Sequence, residues 1–171
     1  MTDSEQTYRE DFKDSRLEGW QRIGGVWEVD EGCLLQRASH SIYMIISPVR
    51  LEEGTLRSRL RLDGVDGRDS SVGLILRFPG DKGYTLLRFG SYQGVHLVQP
   101  DGDVRISDFS LQNGRFYDVK VQIADATVTI EVDGSPIGSQ TIGEPKGAGT
   151  IGLCAEHQAA FDHIEVTGKW R

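Results

Sequence analysis

The chain has 171 residues, with 26 acidic against 19 basic side chains and a net charge of −7. That balance argues against nucleic acid as the main partner, since duplex binders carry a basic excess to displace counterions, and against adhesion to anionic membranes. The length suits one domain over residues 1–171 with a substantial two-layer core, and no segment approaches the ~18 consecutive apolar residues of a membrane span.

The first residues, MTDSEQTYREDF, lack the apolar core of a signal peptide. The sequence as written is therefore expected to be cytoplasmic, or extracellular if a signal or a longer chain has been removed. No later window shows a helical period, whereas strand signals recur about every ten residues. In chain order they are YREDF, WQRI, VWEV, CLLQ, SIYMII, TLRSRLRL, SVGLILRF, YTLLRF, GVHLVQ, VRISDFSL, FYDVKVQI, ATVTIEV, IGSQTI, TIGLCAE and FDHIEVTG. Between them lie hairpin punctuators: Asp30-Glu31-Gly32, Gly80-Asp81-Lys82-Gly83, Pro100-Asp101-Gly102, Gln112-Asn113-Gly114 and Asp133-Gly134. So many short strands with Gly and Asp turns predict an all-β antiparallel two-sheet sandwich, or jelly roll.

Trp27-Glu28-Val29-Asp30-Glu31-Gly32 places three carboxylates within four residues. Strand alternation sets Glu28 and Asp30 on one face roughly 7 Å apart, a separation that glycosidase chemistry permits. The segment nevertheless sits between apolar runs and ends in Gly, and Glu131-Val132-Asp133-Gly134 repeats the pattern. Asp tolerates turn geometry and Gly supplies positive φ, so both segments read as hairpins without a substrate. Cys33 and Cys154 lie in strand-like runs without CxxC spacing, which predicts two buried thiols and leaves a disulfide open. A GxSxG elbow is absent, and the glycines do not stand at a strand-to-helix turn, so no nucleotide cofactor is expected.

Seven segments in order resemble the concanavalin A-like lectin/glucanase superfamily, in particular its laminin-G-like members and 3-keto-disaccharide hydrolase-like domains. They are DFKDSRLEGW from Asp11, WEVDEGCL from Trp27, VGLILRF from Val72, GYTLLR from Gly83, IEVDG from Ile130, GTIGL from Gly149 and FDHIEV from Phe161. Together they span about Tyr8 to Thr167. The resemblance implies two curved antiparallel sheets with glycan bound on the concave face or its loop edge. It also implies a structural calcium near the meeting of first and last strands, where Asp11 and Asp162 are oxygen donors. Its glucan-hydrolysing members share E-x-D-x-x-E; here Gly32 and Cys33 follow Glu28-Val29-Asp30 and no third acid arrives, so glycosidase activity is not carried over to that segment.

Candidate ligand-binding residues fall into three groups. Arg57, Arg59 and Arg61 alternate with Leu56, Leu60 and Leu62, and Arg77 and Arg88 are expected to extend this row on neighbouring strands. Guanidinium groups take carboxylate, sulfate or phosphate bidentately, which points to an anionic glycan or an acidic partner; the alternative is a solvated face paired with acids such as Asp63, Asp118 or Glu156. Tyr84, Tyr92, His96 and Gln99 fall where the resemblance puts the concave sheet, and they suit a sugar's C–H face and hydroxyl rim. Glu156-His157 and Asp162-His163 pair acid with imidazole, but adjacent strand residues point to opposite faces. The reading is a non-catalytic carbohydrate-binding, lectin-like module. A glycan-active hydrolase of the keto-disaccharide type and an interaction sandwich are the alternatives.

Overall fold

Alternation along Thr55–Leu62 dictates the first layer: Leu56, Leu60 and Leu62 are fully buried while Arg57 and Arg59 are exposed. The structure, a computed structural model, describes residues 5–14, 16–39, 41–64, 70–78, 83–91, 93–143 and 149–170. Among these it contains fourteen strands and no helix. They are β1 (Gln6–Glu10), β2 (Gln21–Ile23), β3 (Trp27–Asp30), β4 (Cys33–Gln36), β5 (Ile42–Leu62), β6 (Ser71–Phe78) and β7 (Thr85–Gly90). The rest are β8 (Val95–Gln99), β9 (Gly102–Ser107), β10 (Phe116–Ala124), β11 (Thr127–Val132), β12 (Ser135–Thr141), β13 (Gly149–Glu156) and β14 (Ala159–Trp170).

All pairings are antiparallel, and β5 belongs to both layers. Its first half pairs with β2 and with β13, which leads through β6, β7 and β8 to the edge strand β9; we call this layer sheet I. Its second half pairs with β10 and β14; β11 and β12 continue beyond β10, and β1, β4 and β3 beyond β14, forming sheet II. The sequence pattern suggests separate strands at SIYMII and TLRSRLRL, but the intervening SPVRLEEG continues the alternation. Val49 and Leu51 are buried, while Pro48, Arg50 and Glu52 are exposed. Pro48 has no N–H to give, and it lies where the register with β13 shifts, the position a strand proline tolerates. Ser47 secures the irregularity by donating from Oγ to the Ile151 carbonyl at 2.9 Å.

The inward faces of the two sheets share one cluster, with Ile45, Val72, Leu74, Leu87, Phe89 and Leu153 from sheet I against Leu56, Leu60, Val121, Ile130, Phe161 and Val166 from sheet II. Each such side chain contributes about 1.5–3 kcal/mol by leaving water. Gln36 is a buried polar exception at the end of β4, 1% exposed. Its Oε1 accepts from the amides of Val26 and Ala38 (3.1 and 2.7 Å), and its Nε2 donates to the carbonyls of Ala38 and His157 (2.9 and 2.5 Å).

The acid-rich hairpins have the geometry their residues specify. Glu31 and Gly32 have φ of 50° and 77°, and Asp133 and Gly134 have 50° and 80°, the double positive φ of a type I′ turn. Arg37 pairs with Glu28 and, at 3.2 Å, with Asp30. The three carboxylates of Trp27–Gly32 thus belong to a solvated hairpin. The hairpin expected at residues 80–83 lies largely outside the described residues.

Candidate functional site

The outward face of sheet I is built from the residues of β6, β7, β8, β13 and the first half of β5 that point away from the shared core. Met44, Ile46, Ile75, Leu86 and Cys154 form a second apolar cluster there, each at most 8% exposed, with Phe78, Tyr84 and Val98 packed against it. Polar side chains stand along this floor. In the register that runs across the sheet, Cys154 neighbours Gly73, Gly73 neighbours Arg88, and Arg88 neighbours His96. Asp103 of β9 links the far end: its carboxylate lies 3.5 Å from Arg88 Nη2 and 2.9 Å from His96 Nδ1. His96 Nε2 faces the Gln93 carbonyl at 2.9 Å, so both ring nitrogens are engaged. At the near end Glu156 pairs in register with Ser71, whose Oγ donates to Glu156 Oε2 at 3.3 Å. Gly73 leaves the strip between the two polar groups without a side chain; a Cβ there would come within 2.6 Å of Leu86 Cδ1 and 2.8 Å of the Leu87 carbonyl.

Cys154 reports how tightly this floor is sealed. Burial pushes its thiol up to about 12, the Glu156 carboxylate adds to the rise, and the Arg88 guanidinium opposes it. Between pH ~9 and ~12 the unfolded thiol ionises while the native one keeps its proton, so its contribution to stability is full below pH ~9 and is lost as pH rises through that window. Because the thiolate is the nucleophile, iodoacetamide at pH 8 is expected to label partly exposed Cys33 well before Cys154, measured by peptide mass spectrometry. Equal labelling would show that the floor opens to solvent. Both cysteines are free thiols.

The expected arginine row divides between the two layers, and the reason is topological. Arg57, Arg59 and Arg61 lie on the second half of β5, paired in register with Lys120, Asp118 and Phe116 on the outward face of sheet II. Arg77 and Arg88 lie on β6 and β7, in sheet I. The expectation that Arg77 and Arg88 extend the row is thus corrected, because β5 changes sheets between its halves. Arg61 forms a bidentate pair with Asp63 (2.6 and 2.9 Å), and Arg59 and Arg61 both stack on the Phe116 ring at 4.9 and 4.7 Å. Arg59 reaches Asp118 at 4.0 Å, while Glu156 serves the other sheet.

His96, Arg88 and Glu156 come together on the outward face of sheet I, and Tyr84 borders it. Gln99 is occupied at 2.6 Å by the Gly143 amide. His157 turns away in the β13–β14 connection with φ of 70°, its amide donating to the Ser41 carbonyl at 3.3 Å. Tyr92 lies outside the described residues. Sequence reading missed Asp103, Ser71 and Gly73; cross-strand register alone brings them to Arg88 and Glu156.

The two candidate calcium ligands are each engaged locally. Asp11 accepts the Lys13 amide at 3.1 Å, a bond that lowers its carboxyl below the ordinary value, and Lys13 Nζ stands 3.4 Å away. Asp162 lies 3.2 Å from His163 Nδ1 and 4.0 Å from Cys33 Sγ. Among the described residues no three His, Cys, Asp or Glu side chains gather as a metal-binding group.

No protein-family model matches the chain, and neither does any curated protein. Solved structures do. The chain is similar to the carbohydrate binding module CBM66 from Bacillus subtilis, with a TM-score of 0.67 and 16% identity over 88% of this chain and 92% of that one. A prokaryotic β-1,3-1,4-glucanase (lichenase) derived from a mouse hindgut metagenome gives 0.70 at 13% identity, over 94% and 98%. The β-glucanase of Bacillus licheniformis gives 0.71 at 11% identity, over 95% and 98%. At these identities the likeness defines the fold, and the chain is a concanavalin A-like jelly-roll sandwich.

Proposed function

We propose that the protein is a non-catalytic carbohydrate-binding module that holds a glycan on the outward face of sheet I. The observation that supports this reading is the gathering of two polar groups, Arg88–Asp103–His96 and Glu156–Ser71, on one sheet face that stands on a sealed apolar cluster of Ile75, Leu86 and Cys154. A pyranose presents the complement, with C–H bonds on its face and hydroxyls around its rim. Glu156 accepts hydroxyl protons, Arg88 donates to ring or hydroxyl oxygens, and the partly exposed Tyr84 ring at the border takes the C–H face. Asp103 acts as a positioning residue that fixes Arg88 and His96. Two of the fold's neighbours are named as a carbohydrate binding module and a β-glucanase, which agrees with a glycan ligand.

The test is calorimetry, after a glycan array carrying neutral, uronate-bearing and sulfated oligosaccharides. Wild-type protein is expected to bind one class, and Arg88→Ala and Glu156→Gln are each expected to weaken it about tenfold or more, because each removes a hydrogen bond to a charged group. Failure of the folded protein to bind any class would sink the reading. Release of reducing sugar from a bound oligosaccharide would replace it with the hydrolase reading.

A further inference from the structure

The outward face of sheet II carries a groove of about 320 Å³ lined by Arg57, Ser58, Asp118, Lys120, Glu131 and His163, among others. It lies on the side of the sandwich opposite the face discussed above, and its volume falls at the lower end of small-ligand sites. Its cations and acids are unequally committed. Lys120 Nζ sits 3.6 Å from Glu131, and Asp118 faces Arg59 at 4.0 Å. Glu165, opposite Arg57 in the β5–β14 register, is held by Arg9 at 3.1 Å. Every acid beside Arg57 therefore has another cation, and among the described residues Arg57 itself has no ion pair within 4 Å.

The walls around Arg57 are fixed. Ser58 is 2% exposed and donates to the His163 carbonyl at 2.7 Å, tying β5 to β14 beneath the groove. The His163 ring, only 17% exposed, is turned by its 3.2 Å contact with Asp162 and closes one end. Asp118 and Glu131 keep accepting oxygens at the other.

We propose that this groove is a second ligand site, for a small hydroxylated molecule carrying one oxyanion. Arg57 takes the anionic group with two parallel N–H donors, Lys120 adds a third, and Asp118 and Glu131 accept hydroxyl protons. The carboxylates disfavour a second anionic group, which limits the ligand to one oxyanion. This site does not depend on the glycan reading of sheet I, since the two faces share no residue.

The experiment is an amide chemical-shift titration of the full chain with glucuronate, glucose 6-sulfate, glucose 6-phosphate and neutral glucose, at constant ionic strength. Saturable shifts centred on Arg57, Lys120 and His163 are expected with at least one anionic sugar, and the responding member identifies the oxyanion. The apparent Kd read at these amides is expected to rise about tenfold or more in Arg57→Gln and to stay unchanged in Arg16→Gln, which removes an exposed charge between β1 and β2 that lines neither face. Non-saturating shifts with all three anions, an equal response to glucose, or binding retained in Arg57→Gln would each overturn the proposal. The native amide spectrum of Arg57→Gln separates loss of the site from loss of the fold.

Discussion

Replacing Gln36 by Leu is expected to remove roughly 4 kcal/mol or more of folding stability, although the two side chains are similar in size. The Gln36 amide makes four hydrogen bonds inside the protein while 1% exposed. Leucine would leave the amides of Val26 and Ala38 and the carbonyls of Ala38 and His157 facing a hydrocarbon; these four sites are part-buried, so each is expected to cost near the low end of the roughly 1–3 kcal/mol of an orphaned buried group. Domains have about 5–15 kcal/mol in all, so the variant should melt roughly 10 °C lower, read by circular dichroism. A Tm within a degree or two of wild type would mean that water enters and satisfies these groups. The loss also reaches the sheet I face, because the His157 carbonyl held by Gln36 follows directly after Glu156.

Gly54→Ala carries the second large effect. Gly54 and Gly168 are partners in the β5–β14 register, with φ of +144° and +138°, so both occupy backbone that L side chains rarely adopt. The strands approach so closely that a Cβ on Gly54 would overlap the Thr167 carbonyl and come within 2.9 Å of the Gly168 Cα. Backbone on both sides cannot yield without breaking the ladder, and the cost should be roughly 3 kcal/mol or more. Gly32→Ala provides the contrast. Its φ is +77°, but nothing lies within 4 Å of the added carbon, so only about 1 kcal/mol of backbone strain is expected. Urea denaturation of the two variants would compare them; equal midpoints would show that the β5–β14 contact gives way without cost.

The fold was legible because its signals are local. Leu56-Arg57-Ser58-Arg59-Leu60 states the strand period outright, and the Asp-Gly and Glu-Gly pairs state the turns. The Glu28–Asp30 pair was also readable as hairpin chemistry, although the cation that neutralises it, Arg37, went unnoticed. The site was less legible, because its members meet only through register. Arg88 is one of several strand arginines until β8 and β9 bring His96 and Asp103 beside it. Ser71 is only the first residue of the SVGLILRF run until β13 places Glu156 opposite. The arginine row misled for the same reason: equal alternation along two strands does not say which layer each strand joins, and the crossing of β5 separates Arg57 from Arg88. Gln36, at the end of an ordinary CLLQ run, gives no sign that it will be buried.

The 21-residue strand β5 has a consequence for how the sandwich comes apart. Each layer contains half of it, flanked on both sides by other strands: β2 and β13 in one, β10 and β14 in the other. Peeling either layer away therefore requires tearing its own half of β5 from two ladders while the remaining half is still clamped. Partial opening exposes much core and frees little chain, so the two layers share one cooperative transition, and the amide protons of Ile45, Leu56 and Leu60 exchange with solvent only when the whole molecule unfolds.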